Sequence, residues 1–348
     1  MKILVTGGAG YIGSHTCVEL LNKGYDVVVV DNFSNSHPEA LQRVRNITGR
    51  DFESYKTDII NRKAMDAIFS EHDFDAVIHF AGFKAAGESV TNPLLYYLNN
   101  VTGTLILSAV MEKHGVHRLV FSSSAAVYGR QERMPLTETD AHQPESPYGK
   151  TKSMIEEMLQ DMYLANMQWS IAMLRYFNPA GAHSSGLIGE DPNGTPTNLV
   201  PYISQTAIGK QAHVSVFGSD YPTSDGTGVR DFIHVCDLAN GHLHALEKVL
   251  SSPGINAYNL GTGKGTTVLE MIKMYSKTVG FSIPYMLVPR RAGDTDICFA
   301  DPAKAEQELS WKARLTVEDM CRDAWRWQVT NPQGYSGQTR EKMLHFVH

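Results

Sequence analysis

Short apolar runs alternate with amphipathic stretches through the first half of the chain. Ile3-Leu4-Val5-Thr6 breaks into Gly7-Gly8-Ala9-Gly10-Tyr11-Ile12-Gly13, which leads into an amphipathic segment ending at Lys23-Gly24. That order predicts a strand, a tight turn and a helix. Further apolar runs follow at Val27–Val30, Phe52–Asp58, Asp75–Gly82, Arg118–Phe121 and Trp169–Tyr176. Helical patterns lie between them, from about Pro38 through Val44, from Pro93 to Lys113, and from Ser146 to about Leu164. Strands buried on both faces read as unbroken apolar runs, and strands alternating with helices build parallel sheets. The expected fold class is therefore α/β, a doubly wound parallel sheet of Rossmann type with its ligand at the C-terminal strand ends.

At Phe177-Asn178-Pro179 the pattern changes to a segment rich in Gly, Pro, Asn and Thr, with short strands such as Val214–Phe217. This predicts a smaller mixed α/β substrate domain formed by 179–235 and 262–348, with helices near Val268–Thr278 and Val317–Thr330. A helix at Cys236–Leu250 and a strand at Tyr258–Gly261 should return to the first sheet, so the nucleotide-binding domain would comprise 1–178 and 236–261. Thr339–His348 is expected to be a loosely attached tail.

Composition narrows the partners. The 348 residues are 42% hydrophobic with a formal net charge of −6, which permits a full core and offers no clustered positive charge for a nucleic-acid duplex or an anionic membrane. Cys17, Cys236, Cys298 and Cys321 are far apart, so neither a disulfide framework nor a metal site is expected. The N-terminal apolar run is too short for a signal-peptide core, and no run of about eighteen apolar residues occurs. A soluble, cytoplasmic protein is expected, with the sequons at Asn46, Asn100 and Asn193 as chance matches.

The glycine loop carries the first chemical signal. Gly7, Gly10 and Gly13 remove side chains where a backbone turns, approaches a pyrophosphate and packs helix on strand, and the helix N-terminus offers free N–H groups to phosphate. Asp31-Asn32 ends the next strand about twenty residues beyond the loop, where an acceptor for a ribose 2′-OH belongs. A carboxylate there repels a 2′-phosphate, so NAD is expected rather than NADP. Asp58 could accept from an adenine amino group or cap the following helix. His79-Phe80-Ala81-Gly82 opens into a small-residue loop containing Lys84, through which backbone could pass close to a cofactor.

Tyr148 and Lys152 lie one helical turn apart on one face, and Ser124 ends a sheet strand beside which that helix should pack. A phenol has a pKa of ~10 and is a poor base at neutral pH, but a cation ~4 Å away contributes roughly 4 kcal/mol at intermediate dielectric before desolvation opposes it, and Lys152 and an oxidised nicotinamide would both supply positive charge. Tyr148 could then take a proton from a substrate hydroxyl while the carbon beneath loses hydride, with Ser124 bonded to the same oxygen.

These residues, together with Leu174-Arg175-Tyr176-Phe177-Asn178-Pro179 and Asp225-Gly226-Thr227-Gly228-Val229-Arg230-Asp231, resemble the extended short-chain dehydrogenase/reductases along nearly the whole chain. Within them the match is to the branch that inverts C4 of UDP-sugars. The resemblance implies a tightly held NAD, a transient 4-keto sugar, and hydride return to its opposite face. It implies Tyr148 as acid/base, Ser124 as its partner, and Lys152 as electrostatic tuner and nicotinamide-ribose ligand. Implied cofactor contacts include Tyr11, Ile12, Asp31, Asn32, Asn35, Asp58 and Ile59. Further along they include Phe80, Ala81, Gly82, Lys84, Asn99, Ser122 and Tyr176.

On the substrate side, Arg230 and Arg291 could clamp a diphosphate bidentately. Asn178, Asn198 and Leu199 would add amide and backbone groups, Phe217 a wall near the uracil, and Asp294 an acceptor for ribose hydroxyls. Phe232 stands where relatives often carry Tyr, which removes one uridine-side hydrogen bond. Cys298 takes a place where relatives carry either Tyr or a small residue facing the sugar's C2 substituent. A small side chain there leaves room for an N-acetyl group. The same likeness implies a homodimer through the helices near 93–113 and 148–164. Other readings stay open: a 4,6-dehydratase or decarboxylase, a dehydrogenase with exchangeable cofactor, or a non-enzymatic NAD sensor. Against the first, Ser124 is followed by Ala125 and Ala126 rather than by carboxylates.

Overall fold

A computed structural model describes residues 1–192, 194, 196–291 and 294–336. The sequon at Asn193 and the tail expected at Thr339–His348 lie outside the described residues. Strands β1 (Lys2–Thr6), β2 (Asp26–Asp31), β3 (Glu53–Lys56), β4 (Ala76–His79), β5 (Arg118–Ser124) and β6 (Ser170–Tyr176) join one parallel sheet. After the short strands β7 (Asn178–Ala180), β8 (Val214–Phe217), β9 (Val229–Arg230) and β10 (Phe232–His234), β11 (Gly254–Leu260) adds to its edge beside β6. The seven-stranded order is β11-β6-β5-β4-β1-β2-β3, so the chain reverses direction across the sheet between β1 and β4. A crevice at the carboxyl ends of those two strands is where this topology binds ligands.

The apolar runs are unbroken because each face of the sheet is covered. Ile3, Val5, Val27, Val29 and Ile78 point into one core with Val18, Leu21, Leu41 and Leu246. Leu4, Val28, Val30, Val77 and Phe121 point into the other with Met65, Phe69, Leu107 and Leu159. Each strand thus divides its residues between two helix layers with the period of two that a pleat imposes.

Helix α1 (Tyr11–Lys23) stops at Gly24, whose φ of 95° is left-handed. Helix α2 (Pro38–Thr48) runs past the expected end at Val44 until Gly49, which again turns left-handed. Helix α3 (Arg62–Glu71) is the helix after Asp58. Its cap is Asn61, whose side chain accepts from the Ala64 N–H, so the capping role considered for Asp58 falls to Asn61 instead. The stretch Pro93–Lys113 is helical as expected, but not uniformly so. After α4 (Ala86–Thr91) and α5 (Pro93–Tyr96) it widens into a π-turn over Tyr97–Thr102, then continues as α6 (Gly103–Lys113). Such turns often sit at functional sites. Here Asn100, only 2% exposed, accepts from the Phe83 N–H at 2.8 Å and donates to the Phe83 carbonyl at 3.0 Å, which fixes the loop after β4. Buried and bonded in this way, Asn100 is no glycan acceptor.

By length and composition Pro93–Lys113 could cross a membrane, with a mean hydropathy of 1.3. It is instead a core helix: Leu107, Val110 and Met111 pack under the sheet, and Asn99 lines the crevice. Helix α7 (Pro147–Ala165) starts on the Ser146 hydroxyl, which accepts from the Gly149 N–H, with Pro147 preset in the first turn.

The remaining elements build smaller sheets and a third core. Helix α8 (Leu199–Ala207), α10 (Val268–Val279) and α12 (Val317–Thr330) pack around Ile203, Met271, Tyr275 and Met320, while α9 (Val235–Ser251) and α11 (Ala303–Leu309) back the large sheet near β11. Both α10 and α12 open with a capping box, on Thr267 and Thr316. Strand β10 pairs with β7, β13 (Tyr285–Val288) with β8, and β12 (Thr266–Thr267) and β14 (Ile297–Cys298) flank β9. Buried Asp231 ties these pieces together, accepting from the N–H groups of Thr262, Gly263 and Ala300.

Candidate active site

The crevice predicted by topology is one continuous groove. Its floor is the turn between β1 and α1. A Cβ on Gly13 would stand 2.3 Å from the Gly7 carbonyl oxygen, and one on Gly7 2.7 Å from the Ala81 nitrogen, so the turn requires glycine at both. Helix α1 has no side-chain cap, which leaves its first N–H groups for an anionic ligand. These features fit a dinucleotide pyrophosphate.

The groove gathers Gly7, Gly10, Tyr11, Ile12 and Gly13 with Asp31, Asn32, Asn35, Asp58 and Ile59. Phe80, Ala81, Gly82, Lys84 and Asn99 line it from the β4 side, and Ser122, Ser124, Tyr148, Lys152 and Tyr176 from β5, α7 and β6. Asn178 and Asn198 complete the predicted set that meets here. Asp31 also buttresses the turn, accepting from the Ala9 N–H at 3.0 Å and the Ser36 hydroxyl at 2.7 Å. Asp58 accepts from the Asn32 amide at 2.8 Å, so the two residues expected at the adenosine end hold one another.

Tyr148, Lys152 and Ser124 converge as the helix–strand packing requires. Lys152 Nζ donates to the Ser122 carbonyl at 2.6 Å and lies 5.9 Å from the centre of the Tyr148 ring. Burial lowers the Lys152 pKa to about 8, opposed by Glu156. Burial raises the Tyr148 pKa, opposing the expected effect of charge, and only the hydrogen bond with Ser124 lowers it. The cation is itself desolvated and is not among the influences that lower the phenol's pKa, so by itself it does not turn the phenol into a base. Ser122 and Tyr176 share a short hydroxyl–hydroxyl contact beside them.

Seven predicted substrate residues do not line this groove. Phe217, Arg230, Arg291 and Asp294 form a second cluster: Arg291 bonds Asp294 at 2.9 Å, Arg230 approaches the same carboxylate at 3.8 Å, and the Arg291 guanidinium sits 5.3 Å over the Phe217 ring. Cys298 pairs in register with Arg230 across β14 and β9, and burial raises its thiol pKa to about 11, leaving it neutral. Leu199 begins α8 and packs against the third core. Phe232 is 5% exposed and packs in that core.

Sequence reasoning missed Glu190, Asp191, His37 and Tyr335, all on the groove wall. Glu190 and Asp191 sit in a loop with no periodic pattern, and Tyr335 arrives from far along the chain, well after the large sheet's last strand ends at Leu260, so nothing local marks them. Among the described residues no cluster of His, Cys, Asp and Glu could hold a metal ion.

Residues 3–261 match the NAD dependent epimerase/dehydratase family. UDP-glucose 4-epimerase of Bacillus subtilis (strain 168) is 61% identical over 335 residues, covering 96% of this chain and 99% of that protein. The crystal structure of UDP-glucose 4-epimerase from Bifidobacterium longum in complex with NAD+ and UDP has a TM-score of 0.94 and 52% identity, over 96% of this chain and 100% of that one. That of the Stenotrophomonas maltophila UDP-glucose-4-epimerase, with bound NAD and formylated UDP-arabinopyranose, has a TM-score of 0.93 and 50% identity, over 94% of this chain and 98% of that one. With the dinucleotide cradle, the Tyr148/Lys152 pair and likeness along almost the full length in agreement, the chain belongs to the NAD-dependent epimerase/dehydratase family.

Proposed function

We propose that the protein is an NAD-dependent epimerase that interconverts UDP-galactose and UDP-glucose at C4, and that it works in galactose metabolism in the cytoplasm. The convergence of Tyr148, Ser124 and Lys152 at one end of a dinucleotide groove carries this reading. The glycine turn, Asp31 and Lys152 would hold NAD, which when bound would supply a carbon able to accept a hydride and return it. Tyr148 exchanges a proton with the C4 hydroxyl, and Ser124 holds the same oxygen. Lys152 keeps positive charge behind the phenol, and the cofactor's own positive charge adds to it, which offsets the upward push of burial on Tyr148. Arg230, Arg291 and Asp294 anchor the UDP while the 4-keto sugar turns over, with Asn178, Asn198 and Leu199 on the near side and Phe217 at the uracil. Incubating the purified protein with UDP-galactose and no added cofactor should yield UDP-glucose with no net NADH. Accumulating NADH would instead favour a dehydrogenase.

The partly buried, neutral thiol of Cys298 supports a second substrate pair, UDP-N-acetylgalactosamine and UDP-N-acetylglucosamine. Cys298→Tyr should abolish turnover of the N-acetyl substrates and leave UDP-galactose turnover within about threefold, since the larger side chain would take up the space that only the N-acetyl group needs. Equal loss on both substrates would reject this role.

A homodimer is the assembly that the exposed apolar face supports. Leu94, Leu98 and Leu105 are 75%, 63% and 48% exposed at helical spacing, and Met154 on α7 is 46% exposed. Leu98→Glu should convert the dimer to a monomer in light scattering, and a monomeric wild type would refute the assembly.

A further inference from the structure

Glu190 is bound from both sides of the groove. Its Oε1 accepts from Lys84 Nζ at 2.9 Å and from the Asn198 amide at 2.7 Å. Lys84 comes from the loop after β4, on the cofactor side, and Asn198 from the start of α8, on the substrate side. The Asn198 side chain makes no capping bond to α8, the usual use of an asparagine at that position, because its amide is turned to Glu190. The carboxylate side chain is 8% exposed, and among the described residues its Oε2 is buried with no hydrogen-bond partner. A buried carboxylate oxygen without a donor is costly and is commonly completed by a ligand.

The backbone that carries Glu190 is fixed from behind. Trp327 Nε1 donates to the Glu190 carbonyl at 3.3 Å, and the Gly189 N–H donates to the Tyr335 hydroxyl at 3.2 Å. A Cβ on Gly189 would stand 2.4 Å from the Trp327 ring, so the loop lies flat against the end of α12. The carboxylate therefore has a fixed base and two partners from opposite sides of the groove.

Resting on the reading of Lys84 as a cofactor contact and Asn198 as a substrate contact, we propose that Glu190 is a positioning residue that couples the two ligands. By holding both side chains on one oxygen, it makes the seating of UDP and the retention of NAD depend on each other, while Oε2 takes a hydroxyl donor from a bound ligand. Such coupling is reciprocal, so it can be read from either ligand.

The test is the rate at which bound NAD exchanges with labelled NAD, with and without saturating UDP, in wild type, Glu190→Ala and Glu190→Gln. UDP should slow exchange about tenfold in wild type, and about twofold or less in either variant. Undiminished slowing in both variants, or none in wild type that binds both ligands, overturns the coupling alone. Wild type that binds no UDP overturns the functional reading along with it. Faster exchange in the variants without UDP assigns the Oε2 donor to a cofactor hydroxyl. Weaker binding of UDP-galactose than of UDP relative to wild type assigns it to the sugar, and neither change rejects an Oε2 ligand. Loss of general packing would speed exchange equally with and without UDP, so the ratio separates coupling from stability.

Discussion

Tyr148→Phe lowers kcat for UDP-galactose by about a thousandfold, the scale of a lost general acid–base group, while NAD stays bound. The ring remains and keeps its packing, so only the proton-carrying oxygen is removed. Burial raises the Tyr148 pKa, which makes a free phenolate scarce, and the Ser124 hydrogen bond is the one local contact that favours it. Ser124→Ala should therefore reduce kcat in the same direction by a smaller factor. Steady-state kinetics with NAD measured after denaturation checks both statements. A Phe variant retaining kcat within about tenfold would remove Tyr148 from the chemistry.

Gly13→Ala is expected to strip the protein of its cofactor. The added Cβ would stand 2.3 Å from the Gly7 carbonyl oxygen and 2.8 Å from the Gly8 Cα, and both are backbone atoms that no side-chain rotation can move aside. The turn must shift, and displacing a ligand cradle by about 1 Å costs about a hundredfold in function. Purified Gly13→Ala should release little NAD on denaturation and show no turnover until NAD is added. A full complement of NAD in the variant would show that the turn tolerates the shift.

Much of this architecture is legible in the chain because local and global signals agree. Val27–Val30 reads as a buried strand since both faces of β2 are covered, and α10 and α12 begin at their capping boxes. The cofactor half of the site follows from the same logic, since parallel strands deliver Gly7, Asp31, Phe80, Ser124 and Tyr176 to one edge. What the chain hides depends on contacts far along it. Helix α3 carries its cap on Asn61, which reads as ordinary loop residue, and the π-turn at Asn99 and Asn100 keeps helical periodicity on either side. Phe232 lies in a core assembled from α8, α10 and α12, which no local pattern announces. The balance at Tyr148 is hidden for a similar reason: the chain shows the charges that favour a phenolate, whereas the extent of burial, the largest influence in the folded protein, depends on packing.

The central claim is that hydride leaves C4 and comes back to it inside one closed site, with Tyr148 moving only the proton on oxygen. UDP-galactose deuterated at C4, incubated with the protein in ordinary water, tests this most directly by mass spectrometry of the UDP-glucose formed. Full retention of deuterium at C4 is the expected result. Loss of the label to water would mean that C4 is deprotonated rather than oxidised by hydride transfer, and would contradict the mechanism.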